Sequence, residues 1–192
     1  MFNRQNQFAI VGFTSFMLLS GAAPLLANDI PSVFHISKND NGNQVHYGIR
    51  LNQNCVPIPN QPVYVYWQKE DGTTRELISL EQSGYGIFSQ AVSGAKVDIV
   101  LNAFRSRGIQ KLISFKSVKL NDGRCQASAF TSINGKPMQL TKLDILLSNI
   151  NRNPFTGGTI GGRIVSLTLI GSTKDGKSEE VISCTSDCRF GL

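Results

Sequence analysis

His35 and His46 are the only imidazoles in this 192-residue chain, so any histidine base must be one of them. A serine hydrolase sets such a base beside a nucleophile and an orienting acid. Serines are plentiful, but the Gly-x-Ser-x-Gly elbow that presents a nucleophile on a strand-to-helix turn is missing. A hydrolase-like enzyme using His35 or His46 is therefore the alternative reading, and no catalytic residue is assigned. The two histidines could also bind a metal with Asp40 or a neighbouring polar group. Two imidazoles alone leave zinc short of its usual three or four protein ligands, so no metal site is assigned. The run Gly157-Gly158-Thr159-Ile160-Gly161-Gly162-Arg163 suggests a phosphate cradle. It lacks the lysine of the Walker form and leads into a strand rather than a helix, so it reads as a surface loop. No cofactor motif is present.

Aromatic residues offer a different chemistry. Tyr64, Tyr66, Trp67 and Tyr85 carry large rigid surfaces that stack on flat ligands and anchor interfaces. Tyr64 and Tyr66 share one strand face and Trp67 points to the other, where it is expected to fill the core. The candidate binding residues are His35, His46, Arg50, Tyr64, Tyr66 and Tyr85. The net charge of +6 adds attraction to anions, so an anionic or small-molecule ligand is the expected partner. Basic residues are dispersed, with Arg105 and Arg107 the densest pair, and no nucleic-acid motif is present; nucleic acid is not an expected partner.

These residues must be positioned by strands. Five Asx-Gly pairs punctuate the chain: Asn41-Gly42, Asp71-Gly72, Asp122-Gly123, Asn134-Gly135 and Asp175-Gly176. Several lie between runs that alternate apolar and polar residues, as hairpin turns do. The strand from Gln44 to Asn52 sets Val45, Tyr47, Ile49 and Leu51 against His46, Arg50 and Asn52. A strand at Ser32 to Ser37 is its expected hairpin partner. Further strands are expected at Val63 to Lys69, Arg75 to Leu80, Tyr85 to Val92, Lys96 to Ala103, Gln110 to Leu120, Arg124 to Ile133, Arg163 to Ser172 and Lys177 to Ser183. Met138 to Asn149 has an ambiguous period and fits a long strand or a short helix. About ten strands with short connections predict an all-β fold, an antiparallel β-sandwich or β-barrel.

The start of the chain reads as a secretory signal over residues 1–27. Arg4 precedes a mostly apolar stretch from Phe8 to Leu19, and Ala27 offers a cleavage position. The apolar stretch is short for an uncleaved membrane anchor. Residues 28–192 would then form one antiparallel β domain, periplasmic or secreted, with no transmembrane segment after signal cleavage. The composition, 41% hydrophobic with 17% charged residues, is that of a globular chain. In an oxidising compartment Cys55, Cys125, Cys184 and Cys188 suggest two disulfides, with three connectivities open. The simplest is Cys55–Cys125 plus Cys184–Cys188. A zinc site is the rival, but the Cys-x3-Cys spacing and the lack of a nearby histidine disfavour it.

Three sets of residues stand out: Val33-Phe34-His35-Ile36-Ser37-Lys38 followed by Asn-rich residues and then Gln44-Val45-His46-Tyr47-Gly48-Ile49-Arg50-Leu51; Tyr66-Trp67 with Gln82 and Tyr85-Gly86-Ile87; and Asp122-Gly123-Arg124-Cys125-Gln126-Ala127. Together they resemble a bacterial family catalogued as domain of unknown function 4833. The resemblance runs from Pro31 to about Gly171 and does not include the Cys184/Cys188 tail. It implies a small exported bacterial domain without an assigned activity, and it supplies no catalytic residues. The expected function is a non-catalytic binding or structural role in the periplasm or at the cell surface. A lipocalin-like carrier of a small apolar ligand is a second version of that role.

Overall fold

A computed structural model describes residues 31–155 and 159–183. The leader, Cys184, Cys188 and the first two glycines of the Gly157–Arg163 run lie outside the described residues. The strands are β1 (Ser32–Lys38), β2 (Asn41–Ile49), β3 (Val63–Gln68), β4 (Thr74–Glu76), β5 (Ile87–Ser93), β6 (Lys96–Leu101), β7 (Ile113–Lys119), β8 (Cys125–Ile133), β9 (Lys136–Arg152), β10 (Thr159–Thr173) and β11 (Gly176–Ser183). Among the described residues two short helices, α1 (Ser79–Tyr85) and α2 (Asn102–Arg105), interrupt them. The expected strand at Arg75 to Leu80 is thus cut to three residues. Glu81 ends it: its carboxylate accepts from the Ile78 amide at 3.0 Å and pairs with Arg75 at 2.6 Å, fixing the first turn of α1.

The strands make one open mixed sheet of eleven, ordered β4-β3-β2-β1-β9-β8-β7-β6-β5, with β10 and β11 branching from β9. It is neither a closed barrel nor a purely antiparallel sheet, which corrects both expectations. β1 runs parallel to β9, with His35 opposite Lys142 and Lys38 opposite Ile145. β9 is the spine. Along one edge it pairs first with β8, Ala129 opposite Leu140, and then with β1. The change of partner falls at Thr141. There the buried positions slip from Met138 and Leu140 to Leu143, Ile145 and Leu147. That one-residue slip explains the ambiguous period: Leu140, Leu143 and Leu147 fall at helical spacing, yet each half alternates as a strand.

The fork at β9 produces two wings, β1 to β4 and β5 to β8, whose apolar faces share one core. Phe34 of β1 stacks on Tyr47 at 4.5 Å and meets Phe115 of β7 at 5.9 Å. Tyr47, Phe104 and Phe115 are fully buried in this core, and because the sheet stays open the expected barrel mouth does not form. Trp67 lies in this core as expected. Polar ties also cross between the wings. The Tyr47 hydroxyl donates to the Tyr85 carbonyl at 2.6 Å, Ser117 Oγ donates to the Cys55 carbonyl at 2.6 Å, and Cys55 is disulfide-bonded to Cys125.

Asn134 and Gly135 both have positive φ, at 50° and 75°, in the β8–β9 hairpin, as the Asn-Gly signal predicts. The Asn41-Gly42 pair behaves differently. Both residues belong to β2, and the turn lies at Asn39-Asp40. Tertiary contacts set this placement. The Asn39 amide donates to the Leu147 carbonyl at 3.1 Å and accepts from the Leu147 amide at 2.7 Å, docking the turn on β9. Gly42 has a different use: the Glu70 side chain accepts from its amide and lies in the space a Cβ would take.

Candidate functional site

Alternation along β1, β2 and β3 sends Phe34, Ile36, Val45, Tyr47, Val63 and Trp67 inward. The residues between them form a row on the opposite face. His35 pairs with His46, His46 with Tyr66, and Tyr66 with Glu76 of β4, while His35 faces Lys142 on its other side. Directly opposed residues share a face at close range, so their rings meet. His35 and His46 stack with centroids 5.3 Å apart, His46 and Tyr66 at 5.3 Å, and Tyr66 and Tyr64 at 5.6 Å. The Arg50 guanidinium caps the row 4.6 Å from the Tyr64 centroid. The structure thus brings together five of the six candidate residues. Tyr85 does not join them: it is buried in the core, edge-on to Trp67 at 5.5 Å.

The chemistry of the row is set by mutual burial. His46 is buried although it faces outward, because its neighbours cover both ring faces. Burial, with the nearby His35, lowers its pKa from 6.5 to about 4. His35 is lowered too, by burial and by Lys142, with Asp144 opposing. Both imidazoles are therefore neutral at pH 7. Gln44 Oε1 lies 3.0 Å from His46 Nε2, which places the ring proton on that nitrogen and leaves Nδ1 to accept from the Ser32 hydroxyl at 2.7 Å. The Phe34 carbonyl, 3.2 Å from the same oxygen, competes for its single proton. This is a serine–histidine contact, but the third member is an amide. An amide can orient the ring but brings no negative charge to offset the imidazolium that base catalysis forms. Among the described residues no group of three or more His, Cys, Asp or Glu could hold a metal ion. Asp40 instead pairs with Lys38 at 3.1 Å, its side chain fully buried.

A measurable pH dependence follows. His46 in the unfolded chain titrates near 6.5 and in the folded chain near 4. The unfolded state binds the proton more readily, so the contribution of neutral His46 is complete above pH 6.5 and is lost as the pH falls towards 4. Discounted for screening on an outer face, it is about 1–2 kcal/mol. Urea unfolding at pH 7 and pH 4.5 is expected to show this loss in the wild type and a smaller one in His46→Gln. Equal losses in the two proteins would remove His46 as the cause.

The row ends in a groove. Arg50, Tyr64 and Glu76 line a cavity of about 540 Å³ together with Gln61, Gln82 and the β5 residues Ile87 to Gln90. Arg50 Nη1 donates to the Gln61 carbonyl at 3.0 Å. Tyr64 is hydrogen-bonded to Glu76, and its pKa is raised by burial and by that carboxylate. The groove lies between the two ends of the sheet, β3 and β4 on one wall and β5 on the other. Ring faces in the row are occupied by neighbouring rings. The accessible chemistry is therefore the Arg50–Tyr64–Glu76 end, where a cation, a phenol and a carboxylate meet. Glu76, Gln61, Gln82 and Phe88 were not selected from the sequence. The Glu76 signal was available in the Asp71-Gly72 hairpin, which pairs it with Tyr66. Phe88 carried none, because its exposure depends on a register shift between Ile87 and Ser89.

Among the described residues no helix is long and apolar enough to cross a membrane. The chain matches no curated protein and no solved structure. One family pattern does match, over residues 34–156, a span that holds the whole row, the groove and the Cys55–Cys125 disulfide. The chain belongs to the family described as domain of unknown function (DUF4833).

Proposed function

We propose that this chain is an exported, non-catalytic binding module. In this reading the leader 1–27 is removed, residues 28–192 act as one domain in the periplasm or outside the cell, and the ligand site is the seam groove. The observation that carries it is the convergence of Arg50, Tyr64 and Glu76 at the open end of the ring row, beside the exposed Phe88. A pocket of this size with a few convergent polar groups suits a small or extended ligand rather than a flat interface. The row acts as a rigid wall: stacked rings lose little freedom on binding, so Tyr64 and Arg50 are held ready. Native mass spectrometry of protein recovered from the periplasm is expected to show a bound species. Arg50→Ala and Tyr64→Ala should each lose most of it, about tenfold or more. Retention by both variants, or recovery of the precursor in the cytosol alone, would sink the reading.

The Ser32–His46 contact favours a second reading, a hydrolase. Turnover of p-nitrophenyl acetate that disappears in Ser32→Ala would establish it. The amide at Gln44 and the depressed His46 favour no turnover above background.

A further inference from the structure

The sheet is open, so it has edges, and its edges are not alike. β4 is three residues long and carries Arg75 and Glu76. β11 carries Lys177, Glu179 and Glu180. Shortness and charge are the usual protections against pairing with another strand. β5 has neither. Its seven residues, Ile87–Ser93, include no charge and no proline, and all beyond Ile87 are exposed. Phe88 and Val92 are 54% and 44% exposed. β5 is paired on one side only, by β6. A bulge can also protect an edge, and the register shift between Ile87 and Ser89 is one, but it affects the first residues alone. From Ser89 opposite Val100 to Ser93 opposite Lys96 the ladder is continuous.

The free side of β5 lines the seam groove. Across it, β3 at Val63 to Val65 also lacks a second strand, because β4 pairs only from Tyr66. A second cavity of about 410 Å³ opens on the other side of Phe88, floored by Val100, Ile109 and Leu112. Above it the Arg105 guanidinium lies 5.3 Å from the Phe88 centroid and makes no ion pair among the described residues. Lys111, the other cation there, is taken by Glu180 at 2.7 Å.

We propose that β5 receives an extended peptide segment as an added strand, with an apolar side chain on Phe88 and an acidic side chain on Arg105. The proposal rests on the groove reading and names its occupant. Backbone pairing supplies affinity and the alternate side chains supply selectivity, as in other strand additions. The uncompensated Arg105 and the net charge of +6 select an acidic segment. A slim strand suits an edge that looks across a groove at β3 and Gln82, where a folded body meets the opposite wall.

The test is amide hydrogen exchange on the purified full chain. The probe is a capped synthetic peptide, one aspartate followed by three valine-threonine repeats, and its control carries lysine for aspartate. The aspartate peptide is expected to slow exchange of the 89–93 amides at least tenfold. Ala91→Lys, a charge on an exposed edge position, should abolish that protection with an unchanged melting temperature. Arg105→Ala should weaken the aspartate peptide about tenfold and leave the lysine peptide unaffected. Binding that is lost in Tyr64→Ala without β5 protection overturns strand addition and leaves the groove reading intact. Protection lost in Ala91→Lys but retained in Arg50→Ala and Tyr64→Ala supports strand addition and overturns the groove reading. Concentration-dependent protection without peptide assigns the edge to a second copy and overturns the proposal, as does a lack of binding by either peptide.

Discussion

Replacing Cys55 and Cys125 together by alanine is expected to destabilise the protein by about 4 kcal/mol, a fall of about 10 °C in Tm. The bond joins residues 70 apart in sequence, so it removes a long loop from the unfolded ensemble. It also has a structural task. Cys55 sits in the irregular loop between β2 and β3, a stretch with few strand bonds, and Cys125 begins β8 in the other wing. Ser117 and Lys119 of β7 hold the same loop through the carbonyls of Cys55 and Gln53, at 2.6 and 3.2 Å. Those hydrogen bonds are short-range and cannot replace the covalent restraint once the loop moves. Differential scanning calorimetry of the double variant checks the prediction. A Tm within about 2 °C of the wild type would show that the loop is held without the bond.

Phe34→Ala is expected to cost about 4 kcal/mol, near the middle of the range for a buried phenylalanine. Phe34 is 1% exposed and contacts rings from both wings, Tyr47 at 4.5 Å and Phe115 at 5.9 Å. Truncation leaves a ring-sized void at the fork, where the parallel β1–β9 pair keeps either wing from collapsing into it. Urea unfolding at pH 7 gives the number. A cost below about 1 kcal/mol would mean that the wings do not share a core at this point, and the description of a single apolar interior would have to be withdrawn.

Much of the candidate site was legible because it is local. Alternation along β2 put His46 and Arg50 on one face, and the same rule put Tyr64 and Tyr66 together and Trp67 opposite. The β1–β2 hairpin made a His35–His46 encounter a matter of register. The turn falls within the polar linker Lys38 to Asn43, at Asn39-Asp40 rather than at its Asn-Gly pair. Asn41-Gly42 has the preferred turn chemistry, but Asn39 binds Leu147, 108 residues away, and that contact prevails. Propensity chooses among turns only where no distant partner has a stake. The burial of Tyr85 illustrates the same limit. An aromatic residue at the end of a short helix can face a groove or a core, and only the opposing wing, through Tyr47 and Trp67, decides which.

By itself the amino-acid order determined most of the strands, their inward and outward faces and most hairpin turns. Each follows from alternation or turn chemistry within about ten residues, which a chain carries wherever it goes. The tertiary structure decided the rest: that β1 lies parallel to β9, that the sheet forks instead of closing, and that its free ends face each other across a groove. Those outcomes depend on which edges meet. Every strand offers the same backbone donors and acceptors, so edge choice is settled by the packing of whole faces, Phe34 against Phe115 and the Thr141 slip in β9, rather than by any local run of residues.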